Sequence, residues 1–286
     1  MKILKKILRY LGILLIIVLV GIISYFYWMS QIPSDTSLLK SINNENHSFT
    51  LLRNSYEGIT YRYVVSENFD DEKPTIILVH GSIGSITSFK EYTYSLSDSE
   101  FNLLILDRPN YGNDFNENYE QSISFEALLV NNLSEQYWST QENIILGYSY
   151  GGPIALFAHA LRPHDSVILV SPAIDPDNEV VPPPIYFYKW SLTRPLVPKV
   201  WVEASKEKLG HVEDLKQYID LWKSIQGNII HIHGNNDPIV PYENVQFLQS
   251  RIPENSYTHI LIDEGGHGIL WSEYKKILEL IKEQLA

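Results

Sequence analysis

Hydrophobic residues fall into three regimes along the chain. From Tyr10 to Met29 twenty residues pass without a charge. At about 1.5 Å per residue that run can cross a hydrocarbon core of roughly 30 Å. Residues 30–48 are polar instead, with Gln31, Pro33, Ser34, Asp35, Asn43, Asn44 and Asn46, and read as a tether. From about residue 49 short β-rich runs alternate with longer helical ones. Residues 49–52 and 59–65 predict a hairpin around Glu57-Gly58. The runs at 75–79, 101–106, 143–146, 167–170, 229–233 and 258–262 are nearly continuous in apolar residues and end in turn formers. Such runs suit strands buried on both faces of a parallel sheet. Helices are expected between them, as at 124–139 and 153–161. The fold class that follows is α/β, a doubly wound and mostly parallel sheet, whose ligands bind at the carboxyl ends of the strands.

Charge changes the picture of the first regime. The chain of 286 residues carries 22 basic and 34 acidic side chains, a net charge of −12. Lys2, Lys5, Lys6 and Arg9 precede the apolar run, and no acid occurs before Asp35; the 18 basic and 34 acidic residues that follow leave −16 on the body. A basic flank stays cytoplasmic, and Tyr25, Tyr27 and Trp28 suit the opposite interface. Residues 1–9 therefore read as a cytoplasmic segment and 10–29 as a membrane anchor, with residues 49–286 on the far side. A cleaved signal peptide is the competing reading, and would make the protein secreted. Its apolar core is usually shorter and ends in small residues rather than aromatics. The acidic body gives no footing to a nucleic-acid partner. The absence of cysteine excludes disulfides, thiolate metal sites and a cysteine nucleophile.

Candidate chemistry clusters after the predicted strands. Gly147-Tyr148-Ser149-Tyr150-Gly151 follows one strand and precedes a helix, which is the context a G-x-S-x-G nucleophile elbow requires. A serine hydroxyl needs a base and an oriented imidazole to attack. Asp237, in Gly234-Asn235-Asn236-Asp237, and His267, in Gly265-Gly266-His267, follow later strands in the order Ser, Asp, His. Asp175, after the strand at 167–170, is the rival acid. His80-Gly81-Ser82-Ile83-Gly84 offers a glycine-lined turn whose backbone N–H can join that of Tyr150 in stabilising an oxyanion. His231 and His233 share a strand face, but no third ligand is in view, so no metal or other cofactor is expected.

These motifs, with Asp107-Arg108-Pro109-Asn110-Tyr111-Gly112, resemble the serine hydrolase branch of the α/β-hydrolase superfamily from about residue 50 to the C-terminus. The resemblance implies the α/β-hydrolase fold, with Ser149 as nucleophile, His267 as general base and acid, Asp237 as its orienter, and Ser82 and Tyr150 as oxyanion donors. Asn110 stands where relatives often have glycine, and asparagine tolerates the left-handed backbone such a turn needs. Tyr148 and Tyr150 stand where relatives frequently show His and Met, with consequences expected only for pocket shape. His80 is expected to pack the oxyanion loop, and Arg108 to fix its own loop.

Residues 174–228 are too long for a simple connection, and the resemblance implies a cap over the site. Val212, Leu215, Ile219, Trp222 and Ile225 fall on one face of a predicted helix there. Tyr186, Tyr188, Trp190 or Trp201 are expected to line an apolar acyl pocket, or else to seal cap to core. The function these readings predict is a membrane-anchored serine hydrolase cleaving a carboxylic ester or related small acyl substrate. A C–C bond hydrolase, a perhydrolase and a non-catalytic binding module are the alternatives.

Overall fold

The computed structural model describes residues 2–285. Its strands are β1 (Phe49–Tyr56), β2 (Ile59–Ser66), β3 (Thr75–Val79), β4 (Asn102–Leu106), β5 (Asn143–Tyr148), β6 (Ser166–Val170), β7 (Asn228–Gly234) and β8 (Tyr257–Ile262). They form one sheet in the order β1-β2-β4-β3-β5-β6-β7-β8. The hairpin β1–β2 is antiparallel and joins β4 antiparallel; every pair from β4 to β8 is parallel. Glu57 and Gly58 turn the hairpin with φ of 48° and 83°, the left-handed pair that matches strand twist in two-residue loops.

Side chains alternate between two apolar layers. Ile77 and Val79 of β3 pack on one face with Leu104 and Leu106, while Ile76 and Leu78 pack on the other with Leu103 and Ile105. The first layer is covered by α4 (Ile123–Ser134) and α5 (Gly151–Leu161); α7 (Glu243–Gln249) adds Phe247 and Leu248. Over the second lie α3 (Lys90–Ser95), α8 (Ile269–Ser272) and α9 (Tyr274–Glu283). This is the α/β-hydrolase fold, preceded by one long apolar helix, α1 (Lys2–Met29).

Two segments differ from the sequence expectation. The polar stretch read as a tether contains α2 (Asp35–Ile42), which is capped by the Ser34 hydroxyl and buries Leu38 and Ile42 completely. Two apolar residues four apart, after a serine cap, are enough to dock this helix on the second layer. Arg62 reinforces the docking by donating to the Pro33 carbonyl and the Asp35 carboxylate, each at 3.0 Å. Only residues 30–34 then separate α1 from the folded body.

Between β6 and β7 the helix is α6 (Lys199–Gln217), starting after Pro198 and ending before Trp222. Trp222 and Ile225 are buried, but they come from a separate 3₁₀ turn at Leu221–Ser224 and its C-cap. The inward face of α6 carries Glu203, Glu207 and His211, all buried. Charged residues on the buried stripe conceal the helix from an apolar-periodicity reading.

Burial holds several histidines neutral, His80, His164, His211 and His231 most strongly. Desolvation pushes His80, His164 and His211 each down to about 3 from 6.5. A lowered histidine pKa means the unfolded chain takes up protons that the folded chain refuses. The stability they protect is therefore present above pH 6.5 and declines as the pH falls from there toward 3. His80, His164 and His211 each contribute up to about 1.4 kcal/mol per pH unit, so together they steepen acid unfolding by roughly 4 kcal/mol per unit. His164 packs against Trp138 with ring centroids 5.2 Å apart, and His164→Phe should lower the slope of stability with pH in urea melts between pH 6.5 and 4.5 by up to about 1.4 kcal/mol per unit. An unchanged slope contradicts the assignment. Leu38→Ala should cost about 2–5 kcal/mol; a cost under about 0.5 kcal/mol would mean α2 is not part of the core.

Candidate active site

Ser149 sits on the turn between β5 and α5 with φ of 53°, a backbone region that costs a serine roughly 1–3 kcal/mol. The surrounding structure enforces it. The Ser149 N–H donates to Val170 O at 2.9 Å, and the Ser149 carbonyl accepts from Gly152 and Ala173 at 3.0 and 3.1 Å. The turn closes because Gly147 and Gly151 have no side chains. A Cβ on Gly147 would lie 2.3 Å from Gly151 O, and one on Gly151 would lie 2.3 Å from Val79 O.

Loops after β7 and β8 bring Asp237 and His267 to the same end of the sheet. His267 Nε2 lies 3.1 Å from Ser149 Oγ, and His267 Nδ1 lies 2.8 Å from Asp237 Oδ2. An ionised carboxylate only accepts, so Nδ1 carries the proton and Nε2 presents its lone pair to the serine hydroxyl. Asp237 Oδ1 accepts from the N–H groups of Ile239 and Val240, both at 2.9 Å. Burial disfavours the charged carboxyl, but the hydrogen bonds from His267 and these two N–H groups outweigh it. They hold Asp237 below its ordinary 3.8. Asp175, the rival acid, spends its oxygens on its own turn, accepting from Asp177 N at 2.9 Å and Asn178 Nδ2 at 2.8 Å.

The loop that carries Ser82 is fixed from behind. His80 Nδ1–H donates to Gly81 O at 2.7 Å, and Nε2 accepts from Arg108 N at 3.0 Å, so His80 is a neutral packing group. Asn110 adopts the left-handed φ of 66° that its turn demands. Among the described residues, the Ser82 and Tyr150 N–H groups have no hydrogen-bond acceptor, and both residues line the cavity at Ser149. Arg108 does more than fix its own loop. Its guanidinium is fully buried and pairs with Glu126 of α4 and Glu207 of α6. It also lies 4.7 Å from the Tyr150 ring centroid.

Glu207 and Tyr148 carry contacts that the sequence reading passed over. The Glu207 carboxylate accepts from the Ser82 hydroxyl, from Tyr111 OH at 2.6 Å and from Arg108, tying α6 to the loop that carries Ser82. Its signal was present in the four-residue spacing of Glu203, Glu207 and His211. Tyr148, expected to matter only for pocket shape, donates its hydroxyl to His267 O at 2.9 Å and places its ring 5.2 Å from the imidazole. His231 and His233 are bound to each other rather than converging on an ion. His233 Nε2–H donates to Val240 O at 3.0 Å, His231 Nε2–H donates to His233 Nδ1 at 3.0 Å, and Tyr257 OH donates to His231 Nδ1 at 2.7 Å.

A cavity of 420 Å³ opens above Ser149 and His267. Val180, Pro182, Ile185, Trp201 and Ala204 from the β6–β7 connection form its apolar wall, with Ile239 opposite. Lys208 and Glu179 close one end as an ion pair. Of the four aromatics expected there, Trp201 alone lines this cavity; Tyr186 and Trp190 are 40% and 55% exposed, and Tyr188 faces a different groove. The 3₁₀ segment Pro183–Lys189 explains the difference. With three residues per turn, Pro182 and Ile185 fall on the inward side and their neighbours turn out. The arrangement as a whole can generate an oxygen nucleophile beside two free N–H donors and an apolar pocket.

The chain is similar to solved structures across nearly all of their length. A 2-hydroxy-6-oxo-6-phenylhexa-2,4-dienoate hydrolase from Rhodococcus superposes with a TM-score of 0.66 at 15% identity, covering 83% of this chain and 99% of that one. For a lipase described from Acinetobacter baumannii the TM-score is 0.62 at 18% identity, with 88% and 98% covered. For a bacterial membrane phospholipase A it is 0.60 at 14% identity, with 95% and 98% covered. No curated protein matches the chain. Residues 70–223 match the family model described as Serine aminopeptidase, S33. That match spans more than half of the chain, which thus belongs to the S33 serine aminopeptidase family of the α/β-hydrolase superfamily.

Proposed function

We propose that the chain is a membrane-anchored serine hydrolase that cleaves an apolar carboxylic ester through an acyl-enzyme. The observation that carries this reading is the line Ser149 Oγ, His267, Asp237, with separations of 3.1 and 2.8 Å. Ser149 Oγ attacks the carbonyl carbon as His267 Nε2 takes its proton. The negative oxygen that forms is met by the Ser82 and Tyr150 N–H groups. Donors fixed in place before the reaction stabilise such charge most effectively. Collapse expels the alcohol, which takes the proton from His267. Water then attacks the acyl carbonyl with His267 as base, releasing the acid and restoring Ser149. Asp237 keeps the imidazole in the reactive tautomer throughout.

Apolar walls and a single ion pair at one end of the cavity favour a hydrophobic acyl group over a peptide with charged ends. Anchoring is supported by α1, whose apolar part runs from Ile3 to Met29 at a mean hydropathy of 2.6 with its most apolar window unburied. Its end also bonds to the body. Trp201 Nε1 donates to Ser30 Oγ at 2.8 Å, and Tyr27 OH donates to Pro195 O at 3.2 Å. A leader removed by cleavage has no use for such contacts.

A fluorophosphonate probe should label the wild-type protein and leave Ser149→Ala unlabelled; equal labelling of both would overturn the nucleophile assignment. Asp237→Asn should lower kcat on a p-nitrophenyl ester by about 10³–10⁴-fold while Asp175→Asn changes it less than about threefold. The reverse order would move the acid to Asp175.

A further inference from the structure

A second cavity, of 540 Å³, abuts the one above Ser149. Its walls come from two sources. Ile22, Ile23 and Phe26 belong to α1, and Phe187 and Leu196 to the β6–β7 connection. Pro182, Ile185 and Trp201 line both cavities, so these three side chains stand between the apolar helix and the nucleophile.

We propose that the outer cavity is a binding site for one acyl chain of a bilayer lipid, which enters between α1 and the cap and passes Ile185 and Trp201 to reach Ser149. The proposal rests on the anchored serine hydrolase reading and names its substrate class. Three features of the structure converge on a bilayer source. Ile22 lies seven residues before Met29, so the cavity mouth sits about 10 Å inside the end of the apolar helix. That depth belongs to the acyl region rather than to water. The cap side chains beside the mouth are exposed and apolar, with Trp190 at 55% and Leu192 at 84% exposure. Patches of this kind mark surfaces that meet a membrane or partner. Lys189 and Arg194 flank these residues in the chain and line a neighbouring groove, supplying cations of the kind that lipid phosphates attract although the body as a whole is acidic.

The mouth is also held in register. The Phe26 and Trp201 rings pack at a tilt of 38° with centroids 4.6 Å apart, and the Trp201–Ser30 and Tyr27–Pro195 hydrogen bonds fix the helix against the cap. With α2 docked on the sheet, the five residues 30–34 cannot let the body drift more than about 18 Å from the helix end. Trp201 is thus both a wall of the site and the contact that holds the lipid-facing helix beside it.

The test uses the full chain reconstituted in phosphatidylcholine vesicles, with a diazirine in one acyl chain of the lipid. After irradiation, peptide mapping should find the lipid on Ile185 or Trp201 as well as on α1. Adducts confined to α1 before Ile22 would overturn the proposal. So would labelling of Ile185 by diazirine-palmitate added from water but not by the vesicle lipid, since the source would not be the bilayer. The same labelling is expected in Ser149→Ala, because it needs no turnover. A protein that fails to react with fluorophosphonate yet labels at Ile185 therefore removes the hydrolase reading while keeping the lipid site. In the active enzyme, Ile23→Trp should narrow the mouth and lower the ratio of p-nitrophenyl palmitate to p-nitrophenyl acetate hydrolysis in vesicles about tenfold. An unchanged ratio would contradict a path through the outer cavity.

Discussion

The approach of α5 to the ends of β3 and β5 is closer than any residue with a Cβ allows, and the rest of the site is arranged around it. Hypothetical side-chain carbons at Gly147 and Gly151 meet backbone oxygens at 2.3 Å, far inside contact distance. Because the helix can settle that low, Ser149 is forced to the left-handed φ of 53° and its hydroxyl projects from the tip of the turn. The strain is offset by backbone hydrogen bonds from neighbouring segments on both sides of the residue. Loops after β7 and β8 then need only reach a fixed point. A serine that moved with its loop could not hold a 3.1 Å partner in a productive line.

Around that point the protein invests in buried polar groups. Arg108, with both Glu126 and Glu207, is withdrawn from solvent, an arrangement whose desolvation cost is rarely recovered by its Coulombic attraction alone. Its return is geometric. One guanidinium joins the loop after β4 to α4 and to the cap helix, and Glu207 passes that connection on to the Ser82 hydroxyl. The position of α6 and that of the Ser82 loop are therefore set by the same carboxylate. Apolar packing could hold the cap as firmly, but it would not specify the orientation of the Ser82 backbone.

Much of this was legible in the sequence. Six nearly continuous apolar runs marked β3 to β8, because parallel strands buried on both faces leave an unbroken hydrophobic signature. The positions of Ser149, Asp237 and His267 followed from glycine-flanked turns after those strands, and their chain order did the rest. What escaped was governed by tertiary context. Leu38 and Ile42 are too few to announce a core helix in a polar stretch, yet both are fully buried. Glu203, Glu207 and His211 reverse the usual sense of an amphipathic face. The choice of Ile185 over Tyr186 as a cavity wall depends on a 3₁₀ rather than an α-helical turn, a distinction that composition does not carry. The contact of Trp201 with Ser30, 171 residues apart, has no local signal at all.

Covalent capture at Ser149 is the claim on which the hydrolase account stands. Rapid-quench mass spectrometry during the first turnover of a p-nitrophenyl ester measures it directly. The account predicts a burst of p-nitrophenol with an acyl mass increment on the peptide containing Ser149. Steady turnover without any acylated peptide, or an acyl group found on a different residue, would contradict it.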